Sequence, residues 1–409
     1  MLKFVEMGES QREDKLFTVS YICSALANFL MFFCFYLLMP ILALYLKDAF
    51  DAENQVVGIV LSCYTVAALA IRPFSGYLVD TFARKPLYLG ALFFFILIFA
   101  GYPLAGGVLV FAVMRIMHGL AFGMATIAGN TIVIDIMPSS RRGEGLGYYG
   151  LSNNIAMAIG PMVGMYLHDH YSYNVIFYGA FAIGTVSLFV ATQIQTAPKP
   201  KVVKEPISLD RFILKKGIPA GINLMLLAVP YGITTSYIAL YGKELGINTP
   251  VGLFYCFMAV GIALSRLFSG KQVDKGRLTQ VIALGSSIAA FSFFLLPSLV
   301  LFAEASPKLT QTLFYVNALL IGVGYGTIFP ATNALFVGLA PNNKRGTANS
   351  TYLSSWDIGI GIGLLSGGYL SAVCNFSFAF FVGGLLDLAA VILFVKYTGD
   401  HFHRNKIKE

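Results

Sequence analysis

Three ionisable side chains stand inside long apolar stretches of the sequence, where they can take part in proton transfer. Arg115 and His118 are three residues apart, a spacing that places both side chains on one face of a helix. Asp357 follows the only tryptophan, Trp356, in the glycine-rich stretch SSWDIGIGIG. An apolar environment favours the neutral form of a carboxylate, so such an acid can carry a proton at neutral pH. We therefore predict that Asp357, Arg115 and His118 take part in proton coupling.

Each of these residues also has a structural interpretation. Arg115 could brace two helices, and His118 could be neutral and hydrogen-bonded inside the protein. Asp357 could be neutralised by an arginine on a facing helix. Arg72 lies about two turns before the end of its apolar stretch, so bracing near the membrane surface is its expected role. An ionisable residue inside a membrane is a functional candidate by default, because an unpaired charge there costs several kcal/mol.

The sequence has no pattern for catalysis, nucleotide hydrolysis or metal binding. The phosphate-binding loop Gly-x-x-x-x-Gly-Lys-Ser/Thr is missing, so ATP is not the direct energy source. Two His-x-His pairs, His168/His170 and His401/His403, have no third ligand nearby. The five cysteines lie in apolar stretches without paired spacing. We expect no enzyme activity, no cofactor and no metal site.

The elements that carry these residues are predicted to be membrane helices. The chain has 409 residues, of which 57% are hydrophobic and 12% charged, whereas soluble domains carry about 25% charged residues. Apolar stretches of this length favour helices over a barrel, because a membrane helix needs roughly 20 apolar residues. We predict an all-α polytopic protein in the lipid bilayer, with twelve transmembrane helices. Their centres lie near residues 32, 68, 95, 122, 156, 184, 229, 262, 290, 324, 360 and 387.

The basic residues predict which side of the membrane the loops face. With the amino terminus inside, nearly all lysines and arginines between the apolar stretches fall on the inner side, and only Lys47, Lys243 and Lys308 fall outside. This asymmetry follows the positive-inside rule, so both termini are predicted to be cytoplasmic. The net charge of +8 is explained by topology, and no nucleic-acid partner is expected. The polar segment before the first apolar stretch has no cleavage site typical of a signal peptide.

The two halves of the sequence repeat each other. A shift of 194 positions aligns Arg72 with Arg266 and Asp80 with Asp274, and a shift of 203 aligns Gly119 with Gly322 and nine further identical pairs downstream. Six spans per half give parallel repeats with a site between them. We predict two pseudo-symmetric six-helix halves, with cytoplasmic segments at both ends and a linker between the halves. The predicted boundaries are 1–17, 18–196, 197–216, 217–397 and 398–409.

Three motifs resemble those of the major facilitator superfamily. The stretch from Gly76 through Asp80 to Arg84 and Lys85 is similar to the family's loop signature, with alanine at position 83 where glycine is usual. The stretch RIMHGLAFG, which begins at Arg115, resembles the motif of the fourth span. Gly160, Pro161 and Gly164 in span five are similar to the antiporter motif of drug/proton exchangers.

The resemblance implies a conformational latch at the cytoplasmic face that holds the outward-facing state, and a location in the bacterial inner membrane. Asp135 is the predicted partner of Arg84, and a solvated turn is the alternative interpretation. The latch residues are Gly76, Asp80, Arg84, Lys85 and Asp135. Asp387 is a second intramembrane acid, but the resemblance places span twelve at the periphery. A cavity for an amphipathic solute needs aromatic and amide side chains. Our candidates for it are Asn28, Phe32, Tyr36, Asn154, Tyr231, Tyr325 and Trp356.

These observations predict a proton-coupled exporter of small amphipathic molecules that works by alternating access. The energy source is the proton gradient, and no obligatory protein partner is implied. A proton-coupled importer of a small solute such as a sugar or organic acid is the alternative within the same fold. A membrane receptor or scaffold without transport is the alternative from another class, and the internal repeat argues against it.

Overall fold

The computed structural model describes residues 15–138, 141–196, 213–247, 249–341 and 345–407, apart from some side chains within the helices. The described chain consists of twelve long helices and short connecting turns. In the first half, Thr18 caps the first helix by accepting the Tyr21 backbone N–H at 3.2 Å. The helices of this half are α1 Val19–Phe50, α2 Asn54–Thr81, α3 Arg84–Gly101, α4 Val108–Ile136, α5 Arg142–His170 and α6 Tyr173–Thr192.

The second half repeats this order. A further helical segment, Gly399–Asn405, follows the last long helix through a π-helical turn at Phe394–Thr398. The predicted linker falls largely in 197–212, outside the described residues, so the predicted domain boundaries stay predictions. The helices of this half are α7 Ile218–Glu244, α8 Gly252–Asp274, α9 Leu278–Ser298, α10 Pro307–Gly338, α11 Arg345–Val373 and α12 Phe376–Leu393.

Length and composition suit these helices to a membrane. Among the described residues, ten helices are long and apolar enough to cross a bilayer. The two that do not meet both criteria are α5 and α8, and in α8 the apolar part is Gly252–Ser265. The all-α polytopic fold is confirmed, and the count of twelve agrees approximately. We call the end of the bundle where Lys15 and Lys406 lie the terminal end, and the other the opposite end.

Glycines of the repeat hold equivalent helices together in both halves. On α4, a Cβ added to Gly119 would stand 2.1 Å from the carbonyl oxygen of Tyr64 on α2. On α10, a Cβ on Gly322 would stand 2.1 Å from the carbonyl oxygen of Met258 on α8. Tyr64 and Met258 are themselves separated by 194 positions. The aligned glycines therefore make the same backbone contact twice, as small residues do in membrane helix pairs.

We expect Gly322→Ala to destabilise the α8–α10 contact. The added methyl group meets a backbone oxygen that can only move with its helix, and overpacking of this kind costs about 1–3 kcal/mol. Gly179→Ala is the matched control, since a Cβ at Gly179 on α6 meets nothing within 4 Å. Thermal unfolding in detergent should show a lower midpoint for Gly322→Ala only. Equal midpoints for the two variants would contradict the close contact.

Candidate functional site

A cavity of about 450 Å³ lies between the two halves. Its wall is formed by α1, α2, α4 and α5 of the first half and by α10 and α11 of the second. At the terminal end it reaches Val337, one residue before α10 ends, and Asn130, six residues before α4 ends. In the other direction it ends near Arg115 and Leu364, deep in the bundle. The cavity therefore extends toward the terminal end.

The two halves are packed tightly at the opposite end. A Cβ on Gly368 of α11 would stand 2.4 Å from the Asn54 carbonyl oxygen and 2.8 Å from the Gly58 Cα of α2. A Cβ on Gly252 of α8 would stand 3.0 Å from the Cβ of Met165 on α5. These contacts join one half to the other at backbone distance. The structure thus represents a conformation sealed at the opposite end.

An ion pair joins the halves at the cavity wall. Arg72 on α2 donates through Nη2 to Oδ2 of Asp357 on α11, and through Nη1 to the Ser354 hydroxyl at 3.2 Å. Both charged side chains line the cavity, and Asp357 keeps 24% of its side-chain surface exposed. In this conformation, an arginine on a facing helix therefore neutralises Asp357, as the structural interpretation of the sequence has it. Arg72 braces the two halves through Asp357, whereas the sequence suggested bracing near the membrane surface.

Arg115 reaches the deep end of the cavity from α4. Its side chain is 3% exposed, and its guanidinium carbon lies 4.4 Å from the centroid of the Tyr64 ring. Nη1 donates to the Tyr102 hydroxyl over 3.3 Å. The Tyr102 hydroxyl also hydrogen-bonds Nδ1 of His118 at 2.6 Å. Arg115 and His118 therefore share one hydroxyl group.

His118 does not line the cavity. It is 1% exposed and packed among aromatic rings, including Phe95 at a centroid distance of 4.4 Å. Its Nε2 has no hydrogen-bond partner among the described residues. His118 is three residues after Arg115 on α4, and both side chains contact the Tyr102 hydroxyl. The alternative of a buried, hydrogen-bonded histidine fits its surroundings.

Four of the seven predicted cavity residues line the cavity. They are Asn28, Phe32, Tyr36 and Trp356. The prediction was wrong for Tyr231 and Tyr325, because both are fully buried behind Trp356. Tyr325 donates to the Leu227 carbonyl oxygen at 2.6 Å. The side chain of Asn154 lies outside what the structure describes, and its neighbour Asn153 lines the cavity.

Sequence reasoning missed several cavity residues. Phe35, Tyr64 and Phe122 form an aromatic wall, with Phe35 at 5.1 Å from both other rings between centroids. Asn130 and Asn333 both line the cavity and are aligned by the repeat, so the internal symmetry was a signal that could have identified them. The three aromatic residues carry no such signal, because the chain contains 35 phenylalanines and 22 tyrosines.

The predicted latch residues lie at the terminal end. Arg84, at the start of α3, donates to Asp135 near the end of α4. Lys85 donates through Nζ to the Thr192 carbonyl oxygen at the end of α6, over 2.8 Å. All of these contacts are within the first half. The side chain of Asp80 and the surroundings of Gly76 lie outside what the structure describes, so the latch role stays a prediction.

The antiporter-motif residues pack α5 against α1. A Cβ on Gly164 would stand 2.0 Å from the Leu37 carbonyl oxygen, and one on Gly160 would stand 2.7 Å from the Cβ of Tyr36. Pro161 is inside α5 and buried. Since Tyr36 lines the cavity, these glycines set the distance between two cavity-lining helices.

The second intramembrane acid is away from the cavity. Asp387 on α12 is fully buried, and neither of its oxygens has a hydrogen-bond partner among the described residues. Its helix packs on α7 and α9 through Gly383 and Gly384. The described part of the chain holds no group of three or more His, Cys, Asp or Glu side chains arranged for a metal ion.

Two similar six-helix halves with a cavity between them form the architecture of a secondary membrane transporter. The sequence matches the Major Facilitator Superfamily model over residues 24–306 and 298–409, so the chain belongs to that family. It is therefore an integral, multi-pass membrane protein with the fold of a transporter.

Individual proteins show the same relationship. The chain is 22% identical to the staphylopine export protein of Staphylococcus aureus, over 84% of this chain and 87% of that protein. It is 25% identical to the multidrug resistance protein MdtG of Escherichia fergusonii, over 98% of each. The crystal structure of the nucleoside transporter NupG has a TM-score of 0.71 at 14% identity, covering 92% of this chain and 99% of that one. The last likeness is one of fold.

Proposed function

We propose that the protein is a secondary transporter that exports small amphipathic molecules in exchange for protons. The observation that carries this proposal is the cavity between the halves, which is sealed at one end and has the Arg72–Asp357 ion pair in its wall. Aromatic rings line the rest of the wall, as in sites for amphipathic ligands. The proton gradient supplies the energy, and the partners are the small-molecule substrate, protons and the bilayer.

The terminal end is proposed to be cytoplasmic, in a bacterial inner membrane. Described basic residues cluster there and include Arg84, Lys85, Arg141, Lys215, Lys216, Lys275 and Arg277. Lys47, Lys243 and Lys308 are the basic residues of the opposite end. The positive-inside rule assigns the basic end to the cytoplasm. The conformation described here then faces inward, ready to take up a substrate from the cytoplasm.

Asp357 is the proposed exchange site. In the inward-facing conformation its carboxylate is paired with Arg72 and touches the cavity, so a substrate can compete for it. After the halves rock, the same carboxylate faces the other side, where a proton replaces the substrate. Proton and substrate then use one group in turn, which is the requirement for exchange. Arg72 compensates the charge of the Asp357 carboxylate during the steps in which neither substrate nor proton is bound to it.

The direction of transport is supported by the relatives. Two of the similar proteins named above are an export protein and a multidrug resistance protein, and the third, a nucleoside transporter, is similar in fold alone. Gly160, Pro161 and Gly164 resemble the antiporter motif, and the close contacts of the two glycines with α1 fit a structural role for it. Import by proton symport is the competing direction, and one experiment separates the two.

Purified protein in liposomes with an imposed pH gradient tests the proposal. An exchanger accumulates a fluorescent amphipathic dye on the acidic side of the membrane, whichever way the protein is inserted. A proton symporter accumulates the dye on the alkaline side. Protein-free liposomes correct for passive trapping of weak bases. Accumulation of the dye on the alkaline side would establish import. Dye transport that does not depend on the pH gradient would rule out proton coupling.

A further inference from the structure

The cavity wall has an unequal number of fixed charges. Besides tyrosines, the ionisable residues among its described lining are Arg72, Arg115 and Asp357. Arg72 and Asp357 neutralise each other, so Arg115 remains as a positive charge without a carboxylate. A purely cationic amphipathic molecule in the cavity would be repelled by this charge.

The surroundings of Arg115 leave it with unused binding capacity. Its hydrogen-bond partner among the described residues is the neutral Tyr102 hydroxyl, and Nε has none. The Tyr64 ring face supplies a cation–π contact at 4.4 Å. A guanidinium has five N–H donors in a planar arrangement that matches a carboxylate. An anionic group of a ligand would therefore find a nearly complete site at the deep end of the cavity.

Asp357 offers the opposite charge on the same wall. Its Oδ2 accepts from Arg72, while Oδ1 accepts no hydrogen bond among the described residues and is not fully buried. A protonated amine can donate to this free oxygen without displacing Arg72. The carboxylate therefore has room for a second cationic partner from the cavity.

The distance between these two charges follows from α2. Arg115 lies over the ring of Tyr64, and Asp357 is bonded to Arg72, eight residues further along α2. At 1.5 Å per residue the positions on α2 that contact these two charged groups are about 12 Å apart along the helix axis. Phe35 and Phe122 stack beside Tyr64 at this level, so an aromatic body fits between the charges.

We infer that the cavity takes amphipathic zwitterions, with an anionic group bound by Arg115, an amine bound by Asp357 and an aromatic or apolar body between them. This inference rests on the proposed function, because an amine and a proton exclude each other at Asp357, as exchange requires. An anion alone would favour protonation of Asp357 and could not be exchanged for a proton there. A cation alone would leave Arg115 buried without a counter-charge.

Fluorescence of Trp356 measures binding directly. It is the only tryptophan of the chain and it lines the cavity. The probes share one skeleton: 4′-(aminomethyl)biphenyl-4-carboxylic acid, its methyl ester, its N-acetyl derivative and the compound with both changes. The biphenyl places the two charges at about the distance estimated from α2. In purified full-length protein, the zwitterion should bind at least about tenfold more tightly than each of the other three.

Two variants assign the charges to residues. Arg115→Gln should remove the zwitterion's advantage over the ester, because the ester has no anionic group for Arg115 to bind. Asp357→Asn should bring the zwitterion to the affinity of the N-acetyl derivative. Arg115→Lys keeps the positive charge and should still bind the zwitterion more tightly than the ester. This result would show that the loss of preference in Arg115→Gln is not caused by misfolding. Arg277→Gln, an exposed arginine outside the cavity, is the matched control and should alter no affinity.

Other results would overturn the inference. Equal affinity for zwitterion and ester would mean that Arg115 binds no anion, and equal affinity for zwitterion and N-acetyl derivative would mean that Asp357 binds no amine. If none of the four binds while a dye is still exchanged in liposomes, the inference fails and the proposed function stands. If the zwitterion binds with the expected preference but no compound moves with the pH gradient, the proposed function fails and the binding class stands.

Discussion

Asp357→Asn is expected to reduce transport driven by the pH gradient to the level of protein-free liposomes. The amide has the shape of the protonated acid and cannot release a proton, so the exchange step is lost. The Ser354 bond of Arg72 is untouched, and the amide oxygen can still accept from the guanidinium. The halves therefore keep their contact at the cavity wall. Movement of a substrate down its own concentration gradient should continue, because the cavity and the rocking motion remain.

Asp387→Asn is the matched control for this prediction. Asp387 is also a buried acid in a membrane helix, but it does not line the cavity and has no partner among the described residues. Gradient-driven transport should be kept in Asp387→Asn and lost in Asp357→Asn. If Asp357→Asn still concentrates dye with unchanged pH dependence, Asp357 is not the proton carrier. Loss in Asp387→Asn alone would move the proton site to α12.

Much of the fold was predictable because membrane constraints act on composition. Long apolar stretches gave the helices, and identical glycines at fixed shifts predicted the repeat, which recurs as equal backbone contacts of Gly119 and Gly322. The partner of Arg84 was predictable as well, because Arg84 and Asp135 stand at adjacent helix ends of one half. Loop charges and helix order are enough to place such neighbours.

The centre of the site was harder to predict. Arg72 and Asp357 are 285 positions apart and come from different halves, so their pairing depends on how the halves meet. Sequence counting placed Arg72 near a helix end, where a long side chain can reach the surface, and gave no sign that Asp357 faces it. Tyr231 was misplaced for a related reason. Its spacing puts it at the right depth, but the packing of Trp356 over it decides which ring meets the cavity.

The Arg72–Asp357 ion pair and the glycine contacts that seal the opposite end lie along the same two helices, α2 and α11. From the opposite end toward the cavity, α2 and α11 meet first at Gly58 and Gly368, then at Thr65 and Gly361, where a Cβ would stand 2.9 Å from the threonine. The Arg72–Asp357 pair continues this line of contact. In the proposed exchange, rocking of the halves opens the glycine contacts, and protonation of Asp357 alters the contact at the other end of the same line.

Gly368→Val is expected to shift the protein away from the conformation sealed at the opposite end. A Cβ at this position would stand 2.4 Å from the Asn54 carbonyl oxygen, and valine adds two further methyl groups. Overpacking at a backbone contact costs about 1–3 kcal/mol, which changes the ratio of two conformations by about 5- to 150-fold. The cost applies only while the seal is closed, so the population moves toward the conformation that is open there.

Labelling of a single cysteine reports this shift. The reporter is Asn333→Cys on the cavity wall near the terminal end, in a background without the five native cysteines, all of which are free thiols. Closure of the terminal end covers position 333, so Gly368→Val should slow its reaction with a soluble maleimide. Gly179→Val is the control, because a Cβ there meets nothing within 4 Å. An unchanged rate in Gly368→Val, with thermal unfolding showing an intact fold, would mean that the seal does not move during alternating access.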